Sequence, residues 1–199
     1  MNPSRFLLVA DGSSDRDLLP VLRWSVREIA PALHFYEPEF VVRDTRLDFE
    51  AELRRLHMDY KPDLLFVHRD AERMPLQERR SQIPDIGCNL VRVVPLRMTE
   101  AWLLIDQSAI RSAAGNPNGN IALSLPPIER LETLPDPKGI LRELLVTASE
   151  LPPRRRQRFK AGLSRRIQQV AANIASFAPL RRLAGFQAFE ADIEAELPE

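Results

Sequence analysis

The stretch Pro62-Asp-Leu-Leu-Phe-Val-His-Arg-Asp-Ala-Glu-Arg73 decides the fold that the sequence predicts. Its apolar part, Leu64-Leu-Phe-Val67, is short and continuous, which is typical of a strand buried on both faces of a parallel sheet. The run leads directly into His68-Arg-Asp-Ala-Glu-Arg73, where every residue except the alanine is ionisable. Because ligands of open α/β sheets bind beyond the carboxyl ends of the strands, we expect this segment to carry the chemistry.

A second apolar run, Phe6-Leu-Leu-Val-Ala10, also ends directly on acidic residues, in Asp11-Gly-Ser-Ser-Asp15. Parallel strands deliver the residues that follow them to one edge of the sheet, so the two segments are expected to meet there. Asp70 and Glu72, two residues apart, can both reach that crevice and share a hard cation. The alternative is a solvated loop after a core strand, and the second acidic run favours a site.

Composition excludes several classes of protein. The 199 residues hold 28 basic and 28 acidic side chains, so the bulk charge does not attract DNA or an anionic membrane. The single cysteine, Cys88, excludes an internal disulfide and a thiolate-rich metal site. The three histidines have no zinc spacing, and no apolar run approaches the length of a membrane span. We therefore expect a soluble, cytoplasmic protein whose nucleic-acid contacts, where present, come from a local basic patch.

The alternation of strand and helix patterns predicts an α/β fold with a Rossmann-like parallel sheet of about four strands, flanked by helices. The strands are expected at 5–10, 40–42, 64–67 and 89–94. Beyond Pro95 the pattern becomes helical, with a Pro-, Gly- and Asn-rich connection over 115–136. We expect residues 1–110 to form the α/β core, and 111–199 to form a connecting loop and a helical extension packed on that core.

Further acids and one lysine are candidates for the same crevice. Glu100 follows the fourth strand by a few residues, although an ordinary carboxylate at a helix N-terminus explains it equally well. Asp15 is expected to cap a helix rather than to bind a ligand. Lys138, at the start of a predicted helix, is placed to balance a phosphate charge, and its alternative is a surface lysine in a turn. With oxygen ligands only, the expected cation is Mg²⁺ or Mn²⁺.

One strongly basic segment stands apart from these acids. It runs from Arg154 to Lys160 and continues at Arg165 and Arg166, with Phe159 inside it. Such a run favours contact with phosphates, and its alternative is a solvated helix face. Its candidate nucleic-acid-binding residues, together with the one that follows the third strand, are Arg69, Arg154, Arg155, Arg156, Arg158 and Lys160.

These motifs resemble the Toprim domain of topoisomerases, primases and overcoming-lysogenization-type nucleases. More closely, the chain resembles a bacterial family of stand-alone Toprim-like proteins of unknown function. The resemblance runs from residue 6 to about residue 190. The segments that carry it are Val9-Ala-Asp-Gly-Ser-Ser-Asp15, His68-Arg-Asp-Ala-Glu72, Met98-Thr-Glu-Ala-Trp-Leu-Leu-Ile-Asp106, Asp136-Pro-Lys138 and Phe177-Ala-Pro-Leu180.

The resemblance implies a Mg²⁺-dependent phosphodiester site, sometimes paired in bacterial defence loci with a separate ATPase. Asp11 stands where Toprim domains have a glutamate thought to act as general acid or base. Asp70 and Glu72 stand where they have Asp-x-Asp metal ligands. Asp11 is one methylene shorter and Glu72 one methylene longer than the family pattern, which shifts the expected metal geometry.

The leading hypothesis is a metal-dependent nuclease-like protein. Its catalytic residues would be Asp11, Asp70, Glu72 and Lys138, and its metal ligands Asp11, Asp70, Glu72 and Glu100. A second hypothesis is a non-catalytic Toprim-fold module that docks on a partner ATPase or on nucleic acid. A third is a receiver-like pocket phosphorylated at Asp70, which the helical C-terminal half and the Asp70/Glu72 pair disfavour.

Overall fold

The computed structural model describes residues 2–197 and contains one four-stranded sheet. All neighbouring strands are parallel, and their order across the sheet is β2-β1-β3-β4. This confirms the predicted α/β fold with a four-stranded parallel sheet. The strands are β1 (Phe6–Ala10), β2 (Glu39–Val42), β3 (Leu64–His68) and β4 (Leu90–Val93).

Helices flank the sheet and make up most of the chain after it. Among residues 2–197, none of them is long and apolar enough to cross a bilayer. The α-helices are α1 (Leu19–Ile29), α2 (Phe49–Tyr60), α3 (Leu76–Ser81), α4 (Gln107–Ala113), α5 (Pro137–Ala148), α6 (Pro153–Ala161), α7 (Leu163–Asn173) and α8 (Ala184–Glu196). Short 3-10 helices cover Ser13–Leu18, Thr99–Leu103, Ile128–Thr133 and Ala178–Arg182.

Glu100 lies in the first turn of a short 3-10 helix, Thr99–Leu103, and the N-terminal flanking residue of this helix is Met98. The chain turns again at Asp106, whose side chain accepts a hydrogen bond from the Ala109 N–H at 3.0 Å and begins α4. Pro137 occupies the first turn of α5, as expected, and Asp136 caps that helix through the Gly139 N–H. This cap fixes Lys138 at the start of the helix.

Side chains alternate between the two faces of the sheet, and each face has its own apolar core. Phe6, Leu8, Leu64 and Phe66 pack on one face with α1, α4, α5, α7 and α8, which we call the C-terminal face. The intervening Leu7, Val9, Leu65 and Val67 pack with α2 on the opposite face, which we call the α2 face. Both faces are covered, which explains the unbroken apolar runs of the sequence.

The strand order creates a crevice between β1 and β3. The chain leaves β1 on one side to form β2, and it then returns past β1 to form β3 on the other side. The loops after β1 and β3 therefore diverge and leave an opening beyond Ala10 and His68. This topological switch point is where open parallel sheets bind ligands.

An aromatic cluster fastens α8 to the C-terminal face. Phe189 lies 6.5 Å from Phe66 of β3 and 5.8 Å from Trp102, measured between ring centroids, and Phe186 lies 5.2 Å from Trp102. Asp192 of α8 accepts a hydrogen bond from the Arg92 N–H at 2.9 Å, at the outer edge of β4. The helical C-terminal region thus shares one core with the sheet.

We expect Phe189→Ala to lower the free energy of unfolding by about 3–5 kcal/mol, because it empties a fully buried aromatic site. Urea unfolding followed by tryptophan fluorescence and by circular dichroism should give one coincident transition at a lower midpoint. Met58→Ala, which shortens an exposed side chain on α2, is the matched control and should change little. Two separate transitions would contradict the shared core.

Candidate functional site

Four carboxylates converge at the switch point on the C-terminal face: Asp15, Asp17, Asp70 and Glu100, which we call the carboxylate cluster. Asp15 and Asp17 come from the 3-10 helix after β1, Asp70 from the loop after β3, and Glu100 from the segment after β4. Glu100 and Asp17 are each only 5% exposed. Such a concentration of buried acids is unusual unless cations or protons compensate it.

His68, the last residue of β3, lies on the same face as Phe66 and points its ring into the cluster. The ring is buried, and its Nδ1 lies 3.0 Å from the Val93 carbonyl oxygen, to which Nδ1–H donates. That bond leaves Nε2 facing the acids, 3.5 Å from Asp70 Oδ1 and 3.7 Å from Asp15 Oδ2. His68 Nε2 is thus positioned to exchange a proton within the cluster.

Asp70 is held by the segment that follows β4. Its Oδ1 accepts the Thr99 N–H at 3.0 Å, and the Thr99 hydroxyl lies 3.4 Å from the same oxygen. Burial raises the pKa of Asp70 to about 6, and the charges of Asp15 and Glu100 raise it further, while His68 and the Thr99 N–H oppose the shift. Asp70 therefore holds a proton well above the ordinary range of an aspartate.

Asp17 is the member of the cluster that the sequence analysis did not single out. Its Oδ1 is buried and has no hydrogen-bond partner among the described residues. Burial raises the pKa of Asp17 to about 7, Glu100 and Asp15 add to the shift, and Lys138 opposes it. A signal was present in the sequence, because Asp17 precedes Val21 and Ser25 at four-residue spacing on the buried stripe of α1.

Lys138 supplies the positive charge of the cluster. Its Nζ lies 2.8 Å from Glu100 Oε1, and its side chain is 30% exposed. Lys138 lies beside a cavity of about 160 Å³ lined mainly by residues with polar side chains, which we call the switch-point cavity. The cavity is lined by Ser13, Ser14, Asp17, Glu100, Lys138, Ser164, Ile167 and Gln168.

Asp15 does not cap α1, contrary to the prediction, because the N-cap residue of α1 is Leu18, without a side-chain cap; Asp15 lies in the first turn of the preceding 3-10 helix. Its Oδ2 accepts the Gly12 N–H at 3.0 Å, which closes the turn between β1 and the following 3-10 helix. The same oxygen faces His68 Nε2. Asp15 therefore both closes this turn and contributes charge to the carboxylate cluster.

Asp11 lies on the α2 face, apart from the carboxylate cluster. Arg43 Nε donates to Asp11 Oδ1 at 2.5 Å, and Arg69 Nε lies 3.5 Å from Asp11 Oδ2. The two guanidinium groups lie 4.2 Å and 5.5 Å from the centre of the Phe49 ring. The strand alternation explains this placement, because Asp11 continues the series Leu7, Val9, whereas Asp70 continues the series Phe66, His68.

Glu72 also lies outside the cluster. The expectation that it shares a direction with Asp70 requires an extended backbone, but the φ of Glu72 is +54°, in the left-handed region. Its side chain is 76% exposed, and its nearest cation is Arg79, 3.9 Å away. The structure thus brings Asp70, Glu100 and Lys138 together and leaves Asp11 and Glu72 elsewhere. Within residues 2–197, no group of three His, Cys, Asp or Glu side chains is arranged to hold a metal ion.

The predicted basic segment forms a surface groove on α6 and α7. The groove has a volume of about 450 Å³ and is lined by Arg154, Arg155, Arg158, Phe159 and Arg166, together with Leu151 and Gly162. Residues 151–189 include nine Lys and Arg side chains and no Asp or Glu.

The acidic cavity and the basic groove share one helix. Ser164 and Gln168 of α7 line the switch-point cavity, while Arg166 lines the groove and lies 4.1 Å from the Phe159 ring centre. The switch-point cavity and the basic groove thus lie on opposite sides of α7.

The fold and site define an open parallel α/β protein with an acidic crevice at its switch point. In comparisons with known proteins, no family model, no curated protein and no solved structure matches the chain.

We expect the free energy of unfolding to fall as the pH rises from about 4 to about 7. Asp17 and Asp70 have raised pKa values, so the folded state binds their protons more tightly than the unfolded state does, and this stabilisation is lost on ionisation. Asp17→Asn removes one ionisation beside Asp15, Glu100 and Lys138. It should raise the melting temperature at pH 7.5 by a few degrees, since about 1 kcal/mol corresponds to about 2–4 °C at this size.

The measurement is thermal unfolding from pH 4.5 to pH 7.5 for the wild type and the variant. Asp59→Asn removes an exposed acid of α2 that pairs with Arg55, and it should leave the slope of the profile unchanged. Equal slopes of melting temperature against pH for the wild type and Asp17→Asn would contradict the raised pKa of Asp17.

Proposed function

We propose that this protein is a metal-dependent, nuclease-like enzyme that hydrolyses phosphodiesters of nucleic acid. The observation that carries the proposal is the carboxylate cluster at the switch point, one helix away from the basic groove. Phosphodiester hydrolysis requires groups that attract phosphates and carboxylates that hold a divalent cation. The groove offers the first, and the carboxylate cluster would offer the second once its side chains move together around the ion. The sequence resemblance to Toprim domains supports the same chemistry.

The residues of the cluster fit a hard divalent cation by their chemistry. Asp15, Asp70 and Glu100 offer only oxygen donors, which suit Mg²⁺ or Mn²⁺. The orphaned Oδ1 of Asp17 adds a buried acceptor beside them. When bound, such an ion activates water and stabilises phosphoryl oxygens. A cation also neutralises the like charges that burial otherwise penalises.

The chain's own groups then have distinct tasks. His68 accepts or returns a proton at Nε2, because Nδ1–H remains bound to the Val93 carbonyl. Thr99 orients Asp70 through its N–H. Lys138, which now neutralises Glu100, is placed to contact a phosphate oxygen when a cation takes over that role.

The other residues that the sequence predicted for the site have different tasks. The cations of the α6–α7 groove and of the neighbouring surface, which include Arg156 and Lys160, hold the phosphate backbone. Arg69 and Arg43 hold Asp11 in place on the α2 face, so Asp11 supports the loop after β1. Glu72 remains at the surface beside Arg79. The proposed activity is cytoplasmic.

A second candidate is a non-catalytic module that docks on nucleic acid or on a separate ATPase, as in bacterial defence systems. The ion pairing of Asp11 favours this candidate. The Toprim glutamate at the corresponding position acts as an acid or base, whereas Asp11 is held by Arg43 and Arg69. Metal binding separates the two candidates, because the module requires none.

We expect calorimetry to detect saturable Mn²⁺ and Mg²⁺ binding that is weakened by at least about tenfold in Asp70→Asn and in Glu100→Gln. Both changes remove a charged oxygen donor from the cluster at nearly constant shape. Metal-dependent cleavage of single- or double-stranded substrates should fall in parallel.

Glu72→Gln is the matched control, since it removes an equal charge two residues from Asp70 but outside the cluster. It should leave metal affinity unchanged. Loss of binding in Glu72→Gln with retention in Asp70→Asn would overturn the proposed site. No binding in the wild type would favour the non-catalytic module.

We also expect the variant Arg154→Ala/Arg155→Ala/Arg158→Ala to weaken nucleic-acid binding for every sequence. Losing three phosphate contacts should reduce the slope of log affinity against log salt by about 2 to 3. Fluorescence anisotropy from 50 to 200 mM salt measures the slope. The control variant Arg46→Ala/Arg54→Ala/Arg55→Ala removes the same charge near α2, and an equal effect there would contradict a specific groove.

A further inference from the structure

The switch-point cavity has an unusual lining for its size. Three serine hydroxyls, one amide, two carboxylates and one ammonium group surround it, and Ile167 is its single apolar residue. Its volume of about 160 Å³ is below the range of about 300–1,000 Å³ for pockets that hold drug-sized ligands. The cavity therefore suits one small polar group of a larger ligand.

An unused hydrogen-bonding group points to a ligand in this cavity. Asp17 lines the cavity, is 5% exposed, and leaves Oδ1 without a hydrogen-bond partner. Buried polar atoms are rarely left unpaired unless a water or ligand completes them. Glu100, by contrast, already has Lys138 as its partner. A group that donates a hydrogen bond to Asp17 is thus the missing component.

The lining distinguishes between classes of ligand. Without a bound cation, a phosphate would meet two carboxylates against one lysine, and it would be repelled. A nucleobase needs an apolar or aromatic platform, which Ile167 alone does not provide. A sugar fits, because its hydroxyls donate to Asp17 and accept from Lys138, the serines and Gln168.

We propose that the switch-point cavity binds the ribose of a ribonucleotide, with the 2′-hydroxyl donating to the Asp17 carboxylate. Acidic side chains that accept from a ribose 2′-hydroxyl recur at the switch points of dinucleotide-binding sheets. The 2′-hydroxyl is also the group by which proteins distinguish RNA from DNA. The cavity thus selects ribose over deoxyribose.

The inference rests on the proposed function, because the phosphates attached to that ribose are the ones that the basic groove is proposed to hold. Phosphates held by Arg166 and its neighbours lie on one side of α7, and the cavity lies on the other side, at Ser164 and Gln168. The ribose belongs either to an RNA strand or to a free ribonucleotide, and both present the same hydroxyl.

The test compares single-stranded RNA, DNA and 2′-fluoro RNA of one sequence by fluorescence anisotropy in metal-free buffer. Above about pH 8, where Asp17 is ionised, the wild type should bind RNA about 10- to 100-fold more tightly than the other two, because a hydrogen bond to a charged acceptor is lost without the hydroxyl. Asp17→Ala should abolish most of this preference by weakening RNA binding, and the affinity for DNA should not fall. Ser164→Ala, a milder change in the same cavity, should reduce the preference by a smaller factor.

Titration with AMP and dAMP identifies the source of the ribose. Preference for AMP without preference between strands would support the cavity as a mononucleotide site. Equal affinity for every ribose and deoxyribose partner would overturn the inference while leaving the nuclease proposal intact. A preference for RNA that survives both variants would also overturn it. Ribose selectivity without metal-dependent cleavage would instead refute the proposed enzyme and leave the inference standing.

Discussion

Side-chain alternation along β1 and β3 is the constraint on which the rest of the site depends. Each of these strands is buried on both faces, so a residue cannot change face without exposing the core. His68 and Asp70 therefore belong with Phe66 on the C-terminal face, and Asp11 belongs with Val9 on the α2 face. Asp11 and Asp70 thus follow neighbouring strands to the same edge of the sheet but lie on opposite sides of it.

The protein compensates for the acids on each side in a different way. On the α2 face, Asp11 lies beside two guanidinium groups that pack against an aromatic ring, so its charge is compensated. On the C-terminal face, four carboxylates share Lys138, the Thr99 N–H and His68. These groups do not compensate all four carboxylates, and burial together with the neighbouring negative charges raises the pKa values of Asp17 and Asp70. The first arrangement is structural in character, and the second is one that a ligand would complete.

The sequence predicts the fold well because buried parallel strands are continuous apolar runs that Gly, Pro and acidic residues interrupt. It places Asp70 and Glu100 near one another because sheet topology controls where loops begin. It misses Asp17, since a single acid on an apolar helical stripe resembles an ordinary boundary residue. It groups Glu72 with Asp70 because residue spacing does not reveal the left-handed φ that turns Glu72 outward. Backbone conformation in loops, rather than strand pattern, limits the prediction.

The attachment of α8 also bears on how the chain is made. The ribosome releases β1, β2, β3 and β4 well before it releases the aromatic residues that cover Phe66 and Trp102. During that interval the C-terminal face of the sheet is an open apolar surface, the kind of surface that chaperones bind and that drives aggregation. Completion of the core, and of the site that it supports, therefore waits for the emergence of α8. Chains that lack α8 should therefore tend to aggregate when they are expressed, because this face of the sheet then stays uncovered.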